Sequence, residues 1–198
     1  MRAANAKLWA VLALLAIVAC SGSSSPSASA DMSTGGEVGS GGLTGTGTDE
    51  ERLTDAQIFK VLDTLHAGRV AEGEAATVRA SSEQVLDYAK DMISAHQEAG
   101  AAVTALEKQR SLVPADSKLS LTLAATSRVE VENLAGAASV EFDRMYVQAQ
   151  VTDHGKSISV VESLLGMTTD AQLKTSLTAL KTLAKDHQSR AVTLLSSL

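Results

Sequence analysis

The chain has 198 residues, a formal net charge of −6 and an aromatic content of only 3%. A core with so few aromatic side chains is built from Leu, Val, Ala and Met, which suits close helix packing better than a β-sandwich. Without Arg2 and Lys7, the only charged groups of the first nineteen residues, the charge falls by two to −8. This acidic balance argues against nucleic acid and anionic lipid surfaces as partners.

The first nineteen residues have the pattern of an export signal. Basic residues precede an apolar stretch of 11 residues, 8–18, which is too short to span a bilayer as a helix. Residues 17–20, Ile-Val-Ala-Cys, resemble the lipobox of bacterial lipoproteins, which implies cleavage before Cys20 and attachment of acyl chains such as palmitate to it. The alternative is an ordinary signal peptide with a chance cysteine. Ser21 follows the cysteine, and in Gram-negative lipoproteins that implies the outer membrane, facing the periplasm.

Two further features define the domain organisation. Cys20 is the only cysteine, so an internal disulfide is excluded. Residues 20–52 are dominated by Gly, Ser and Thr, and we expect them to form a flexible tether. The folded domain is predicted to span residues 53–198.

Helix 1 begins with a strong local signal. Thr54 is predicted to be the N-cap, with Gln57 as its capping-box partner and with Leu53 and Ile58 as a hydrophobic staple. The apolar periodicity then continues to about Arg79, which predicts a long amphipathic helix.

Helix 2 follows after a very short turn. Ser81 and Gln84 are predicted to form a second capping box, and the helix runs to about Arg110. A turn this short forces an antiparallel hairpin. Residues 115–137 alternate like a strand but also fit a helix, and in the absence of a pairing strand we favour a helical or irregular crossover.

Helix 3 is predicted over residues 139–166, with Gly166 in the position of a C-terminal cap. Helix 4 runs to the C-terminus, and its predicted capping box, Thr169 with Gln172, repeats that of helix 1. The sequence therefore predicts an all-α fold, an antiparallel four-helix bundle with a longer helical crossover between helices 2 and 3.

Helix 3 also contains a recognisable motif. Residues 142–147, Phe-Asp-Arg-Met-Tyr-Val, with Gln150, Val151 and His154, resemble the core of a bacterial envelope family known as domain of unknown function four-one-four-two. The resemblance covers about residues 53–198 and implies a ferritin-like fold and an envelope location, without an established activity. The chain departs from the pattern at Arg69, where an acidic residue is expected, and at Ala95, which replaces an Asp. Both departures weaken any inherited site that uses those carboxylates.

Each long helix carries one of the four histidines. Residue counts from the turns place three of them near one level of the bundle and His187 about one and a half turns beyond. One hypothesis is a single metal site for Zn, Cu or Fe, in which His187 or Glu72 joins two central histidines and Asp143 is a ligand or an outer neighbour. Its candidate ligands are His96, His154, His187, Asp143 and Glu72.

The other hypothesis is a hydrogen-bonded polar layer that sets helix register, with neutral imidazoles satisfied by Asp, Tyr and Gln side chains. Its further members are His66, Tyr146 and Gln150. Arg69 and Glu72, three residues apart, are interpreted as a structural ion pair.

The sequence offers little support for an enzyme. No Glu-x-x-His motif of a di-iron site, nucleophile elbow or phosphate loop occurs in it. We therefore expect a lipid-anchored periplasmic module that binds a ligand or serves in envelope stress without catalysis. The alternatives are a metal-binding or redox protein that uses the histidine layer, and an interaction domain that pairs with an envelope protein or with a second copy of itself.

Overall fold

The computed structural model describes residues 52–198, and these residues form five α-helices without a strand. The helices are α1 (Asp55–Arg79), α2 (Glu83–Gln109), α3 (Lys118–Gly136), α4 (Phe142–Leu165) and α5 (Ala171–Leu195). The predicted all-α fold is confirmed, and the crossover segment is a regular helix, α3. The predicted signal peptide, the lipidation site Cys20 and the tether up to residue 51 lie outside the described residues.

α1 and α3 each begin with a capping box, in which the N-cap residue and the residue three positions later exchange hydrogen bonds. The Thr54 side chain accepts a hydrogen bond from the Gln57 backbone at 3.3 Å, and the Gln57 side chain accepts one from the Thr54 backbone at 3.0 Å. This reciprocal pair confirms the predicted capping box. Ser117 and Ser120 make a second reciprocal pair at the start of α3, which explains why residues 118–136 are helical despite their alternating pattern.

The start of α2 differs from the prediction. Ser82, not Ser81, is the N-cap, and its side chain makes no capping hydrogen bond. The cap comes from α4: the Asp143 carboxylate accepts from the backbone N–H of Ser82 at 2.8 Å and of Ser81 at 3.1 Å, and from the Ser81 hydroxyl at 2.7 Å. The predicted Ser81–Gln84 box is wrong because a carboxylate from another helix satisfies the exposed donors.

Two boundaries of the second half are also shifted. α4 begins at Phe142, three residues later than predicted, and ends at the C-cap Gly166. The N-cap of α5 is Asp170 rather than Thr169, and its carboxylate accepts from Leu173 N–H at 2.7 Å. An ionised carboxylate that also pairs with Arg110 at 2.6 Å is a stronger cap than a threonine hydroxyl.

The helices pack around two separate apolar clusters. α1 packs mainly against α2, α4 packs against α5, and α3 covers α1. The first cluster joins the start of α1, the end of α2, the end of α4 and the start of α5, and includes Phe59, Leu62, Val103, Leu164 and Leu177. The second joins the opposite halves of these four helices and includes Ala76, Met92, Phe142, Tyr146 and Ala191.

A buried polar layer lies between the two apolar clusters along each of these four helices. In α1 and α5 the chain passes from the first cluster through the polar layer to the second, whereas in α2 and α4 it passes in the opposite order. The polar layer consists of His66, Arg69, Glu72, His96, Gln150, Asp153, His154, Ser157 and His187.

Close contact of α1 with its neighbours depends on glycine. A Cβ placed on Gly73 would lie 2.7 Å from Ile93 Cγ1 and 3.2 Å from the backbone oxygen of Ala89, both in α2. A Cβ on Gly68 would lie 2.7 Å from the Ser127 hydroxyl of α3. Because a backbone oxygen cannot move aside as a flexible side chain can, Gly73 sets the distance between α1 and α2.

We predict that Gly73→Ala destabilises the domain by about 1–3 kcal/mol, because overpacking against α2 exceeds the gain of about 1 kcal/mol in helix propensity. Gly136→Ala is the matched control, since a Cβ there meets nothing within 4 Å. Urea unfolding followed by circular dichroism measures both variants. A Gly73→Ala chain at least as stable as Gly136→Ala would contradict the proposed packing.

Candidate metal centre

Three buried imidazoles from three different helices converge in the polar layer. His96 on α2, His154 on α4 and His187 on α5 each offer a ring nitrogen, and these nitrogens lie within 4.8 Å of one another. The ring centroids are 5.3–5.8 Å apart, and the residues are 0–2% exposed. Metal–nitrogen bonds of about 2.0–2.1 Å require ligand nitrogens closer together than 4.8 Å, so binding of an ion would draw the three side chains inward.

Each of the three rings has a nitrogen without a hydrogen-bond partner among the described residues. These atoms are Nε2 of His96, Nε2 of His154 and Nδ1 of His187. Buried polar atoms are almost always hydrogen-bonded, so three unpartnered nitrogens in one cluster require an explanation. Their lone pairs can bind a metal ion.

The second nitrogen of His154 is held by the backbone. Its Nδ1 lies 2.8 Å from the carbonyl oxygen of Gln150, one turn earlier in α4. A carbonyl oxygen only accepts, so Nδ1 carries the proton and Nε2 carries the lone pair. Metal-ligating histidines usually have this arrangement, with one N–H donated to a backbone carbonyl.

His66 on α1 extends the cluster without joining the three converging nitrogens. Its Nδ1 lies 3.1 Å from Nδ1 of His96, and it is 3% exposed. The predicted level of His66, His96 and His154 is therefore confirmed.

The predicted offset of His187 by one and a half turns is wrong, because its ring lies against those of His96 and His154. The residue count placed the turn near residue 167, whereas α5 begins only at Ala171. The residues between these positions belong to the link and add no length to the helix, so the count overestimated the distance of His187 from the turn.

Burial keeps these imidazoles neutral. It lowers the pKa of His66 to about 4 and, with smaller contributions from neighbouring cations and histidines, lowers the pKa of His96 to about 2 and of His154 to about 3. The pKa of His187 is also lowered, again mainly by burial. At neutral pH the lone pairs are therefore not occupied by protons, which favours metal binding.

Beside the histidines, the polar layer contains a buried ion cluster. Arg69 Nη1 lies 2.8 Å from Glu72 Oε2 and 3.4 Å from Asp153 Oδ2, and the Gln150 amide donates to Glu72 at 2.9 Å. The predicted Arg69–Glu72 ion pair is confirmed. Burial raises the pKa of Glu72 to about 7, against the lowering effects of Arg69 and of the Gln150 hydrogen bond. Glu72 thus pairs with Arg69 and does not join the group of three converging histidines.

Two other predicted members of the site lie elsewhere. Asp143 caps α2 through Ser81 and Ser82, and it is not part of the histidine group. The hydroxyl of Tyr146 is buried without a hydrogen-bond partner among the described residues, and its ring stacks against Phe142. The expectation that Asp and Tyr side chains satisfy the imidazoles is therefore wrong, since His154 bonds to the backbone carbonyl of Gln150 and the nearby Asp153 pairs with Arg69 instead.

Sequence reasoning missed Asp153 and Tyr88. Asp153 is 5% exposed and bridges Arg69 to Lys156, which lies 2.8 Å from it. The Asp153–Lys156 spacing of three residues beside His154 was the available signal. Tyr88 donates to the backbone oxygen of His187 at 3.1 Å, a contact between helices for which the sequence has no local signal.

Comparison with known proteins identifies the family and the fold. The family model described as Domain of unknown function (DUF4142) matches residues 43–194. A DUF305 fragment from Deinococcus radiodurans has a TM-score of 0.61 at 14% identity, over 73% of this chain and 98% of that one. A chain described as "putative secreted protein DUF305", from Streptomyces coelicolor, has a TM-score of 0.62 at 14% identity, over 72% and 92% of the two chains. No curated protein matches the chain. At this identity the structural likeness shows the helical fold alone.

We predict that the metal-free protein loses stability as the pH falls from about 6.5 to about 4. In this range the unfolded chain protonates His66, His96 and His154, whereas the native rings stay neutral because their pKa values are depressed. Glu72 acts in the opposite sense between its unfolded pKa of 4.5 and about 7, and so do the less buried Asp63 and Glu107, whose pKa values burial raises. The lowered pKa of His187 adds to the effect of the other three histidines, and we expect the four histidines to dominate. Urea unfolding with a chelator at several pH values measures the effect. A free energy of unfolding that is constant from pH 7 to 4.5 would contradict it.

Proposed function

The chain belongs to the DUF4142 family of domains of unknown function, and from this premise we propose that it binds one transition-metal ion through His96, His154 and His187. Two observations carry the proposal: one ring nitrogen from each residue lies within 4.8 Å of the others, and each of the three rings has a buried nitrogen without a hydrogen-bond partner among the described residues. A metal ion would satisfy all three at once, at a position where the cost of burying unpaired polar atoms is otherwise highest.

The donor set indicates the class of metal. Three neutral imidazoles without a thiolate or carboxylate in the group suit Zn, Cu or Fe rather than Ca or Mg, which prefer oxygen ligands. The site supplies three protein ligands, which leaves a coordination position for water or another small ligand. We assign it a binding role without catalysis.

The order in which each long helix meets the two apolar clusters supports the bundle arrangement that we propose. α1, α2, α4 and α5 form an antiparallel four-helix bundle of the ferritin-like type, and α3 is the crossover that covers α1. α1 and α2 meet the two apolar clusters in opposite orders, and so do α4 and α5, as antiparallel pairs require, while α3 begins beside the first cluster and ends in the second and so returns the chain between α2 and α4.

We further propose that the domain is held in the cell envelope by lipid on Cys20, facing the periplasm from the outer membrane. The lipobox-like residues 17–20 and the Gly/Ser-rich tether support this anchor. The description of one structural relative as secreted is compatible with an extracytoplasmic location. Among the described residues, no helix has the length and apolar composition to cross a membrane.

The proposal of an interaction domain receives less support. Large exposed apolar side chains are spread over α1, α3, α4, α5, the connections and the C-terminus, and do not form an excess on α1 or α5. They are Val78, Val113, Leu121, Val129, Val140, Met145, Val192 and Leu198.

We predict that the purified full chain in detergent binds about one Zn²⁺ or Co²⁺ per molecule in equilibrium dialysis, and that a His96→Ala/His154→Ala chain does not. The Co²⁺ form should show the visible absorption of a tetrahedral site. Asp143→Ala is the matched control: it removes the cap of α2 and costs about 0.5–2 kcal/mol of stability but leaves the metal stoichiometry unchanged. Metal binding that is absent from the parent, or unchanged in the double variant, would overturn the proposed function.

The anchor makes a separate prediction. Cys20→Ala should lose incorporation of labelled palmitate and move from the membrane to the soluble fraction of cells, because the acyl chains provide the membrane affinity. Ser21→Ala, which keeps the cysteine, should behave as the parent does. Continued palmitate labelling of the Cys20→Ala chain would refute lipidation at this position.

A further inference from the structure

The contact between His66 and His96 raises a question about proton position. Their Nδ1 atoms are 3.1 Å apart, in a layer where both residues are almost fully buried. Each neutral imidazole has one N–H and one lone pair, so one Nδ1 donates to the other. The direction of this hydrogen bond decides which nitrogen of His96 is available outside the pair.

The two directions have opposite consequences for the metal site. If His66 donates, His96 carries its proton on Nε2, and this nitrogen cannot bind a metal ion. If His96 donates, its Nδ1 carries the proton and its Nε2 presents a lone pair. Both arrangements place one proton on each ring, so the change between them requires no net gain or loss of protons.

The distribution of unpartnered atoms favours the second direction. The buried nitrogen without a partner is Nε2 of His96, whereas His66 has no atom in this class. A buried N–H without an acceptor is rarer in proteins than a buried lone pair without a donor. His96 is therefore more stable with its proton on Nδ1, where His66 accepts it.

We propose that His66 is a positioning residue for the metal site: its Nδ1 accepts the proton of His96 Nδ1 and so directs the lone pair of His96 Nε2 towards His154 and His187. This inference rests on the proposed function. His66 does not touch the metal ion, and its role corresponds to that of the Gln150 carbonyl beside His154. The difference is that a carbonyl can only accept, whereas a histidine can act in either direction.

The role of His66 also connects α1 to a site whose ligands come from the other three long helices. Gly100 of α2 lies opposite His66, and a Cβ placed on this glycine would lie 3.5 Å from the His66 Cβ, so the two helices are in direct contact at this level. Rotation of the His96 ring is restricted by its contacts with the rings of His66, His154 and His187, whose centroids are 5.3–5.8 Å away. Such orientation of a ligand from outside typically contributes 10–100-fold to metal affinity.

Two substitutions of His66 distinguish the effect of its hydrogen-bond acceptor from the effect of its volume. Asn places an amide oxygen close to where the histidine Nδ1 stands, and this oxygen can only accept, so His66→Asn should hold His96 in the same tautomer. His66→Leu fills the space without an acceptor. Ser120→Ala is the control for the loss of a buried hydrogen bond at a distance from the site, at the start of α3.

The experiment measures Zn²⁺ affinity by competition with a chelating dye, together with long-range ¹H–¹⁵N correlation spectra of the imidazole rings in the metal-free full chain. We expect His66→Leu to bind Zn²⁺ about 10–100-fold more weakly, and His66→Asn and Ser120→Ala to remain within a few-fold of the parent. In the spectra, the proton of His96 should be on Nδ1 in the parent and in His66→Asn, and should shift towards Nε2 in His66→Leu.

The outcomes distinguish this inference from the proposed function. A parent chain that binds no Zn²⁺ overturns the proposed function, and the role of His66 falls with it. A parent that binds Zn²⁺, with a folded His66→Leu chain of equal affinity, overturns only the role of His66. Equal loss in His66→Asn and His66→Leu, or a His96 proton on Nε2 in the parent, also overturns it, because a purely structural role for the ring would then explain the result.

Discussion

The constraint on which this structure depends is the burial of a polar layer in the middle of four long helices. Apolar clusters close both ends of this layer, so its members cannot be hydrated from either end. A buried charge is tolerated only with a partner, and Arg69 has Glu72 and Asp153. The histidines solve the same problem differently, since they remain neutral and therefore incur a much smaller cost of desolvation.

The layer also determines how the helix pairs fit together. The contact of Gln150 with Glu72 joins α4 to α1, and that of Tyr88 with the backbone of His187 joins α2 to α5. Asp143 adds a third link at the start of α2. A shift of either pair by one turn would separate these partners and leave buried polar groups unpaired, which costs more than the loss of apolar contact alone. The polar layer thus specifies register, whereas the apolar clusters supply most of the stabilisation.

The sequence predicted the start of α1, which depends on residues close together in the chain. The Thr54–Gln57 box is complete within four residues, and both the helix and its start follow from it. The cap of α2 is different, because Asp143 is 61 positions away from Ser82 and no periodicity shows which helix ends meet. Similarly, counting placed His66, His96 and His154 at one level, but it indicated neither the direction of their ring nitrogens nor the displacement of His187, which depends on the link before α5. The residues of the site were therefore predictable as candidates, while their grouping required the tertiary structure.

The grouping that results has a consequence for how a metal ion would act on the domain. His96 belongs to the α1–α2 pair, and His154 and His187 belong to the α4–α5 pair. An ion bound to all three joins the two pairs at the layer where apolar packing is interrupted. Because it binds only when both pairs are in register, its binding free energy adds directly to the free energy of their association. Metal binding and bundle assembly would then be two aspects of one equilibrium, because the three proposed ligands lie in the core between the helix pairs rather than in a surface cleft.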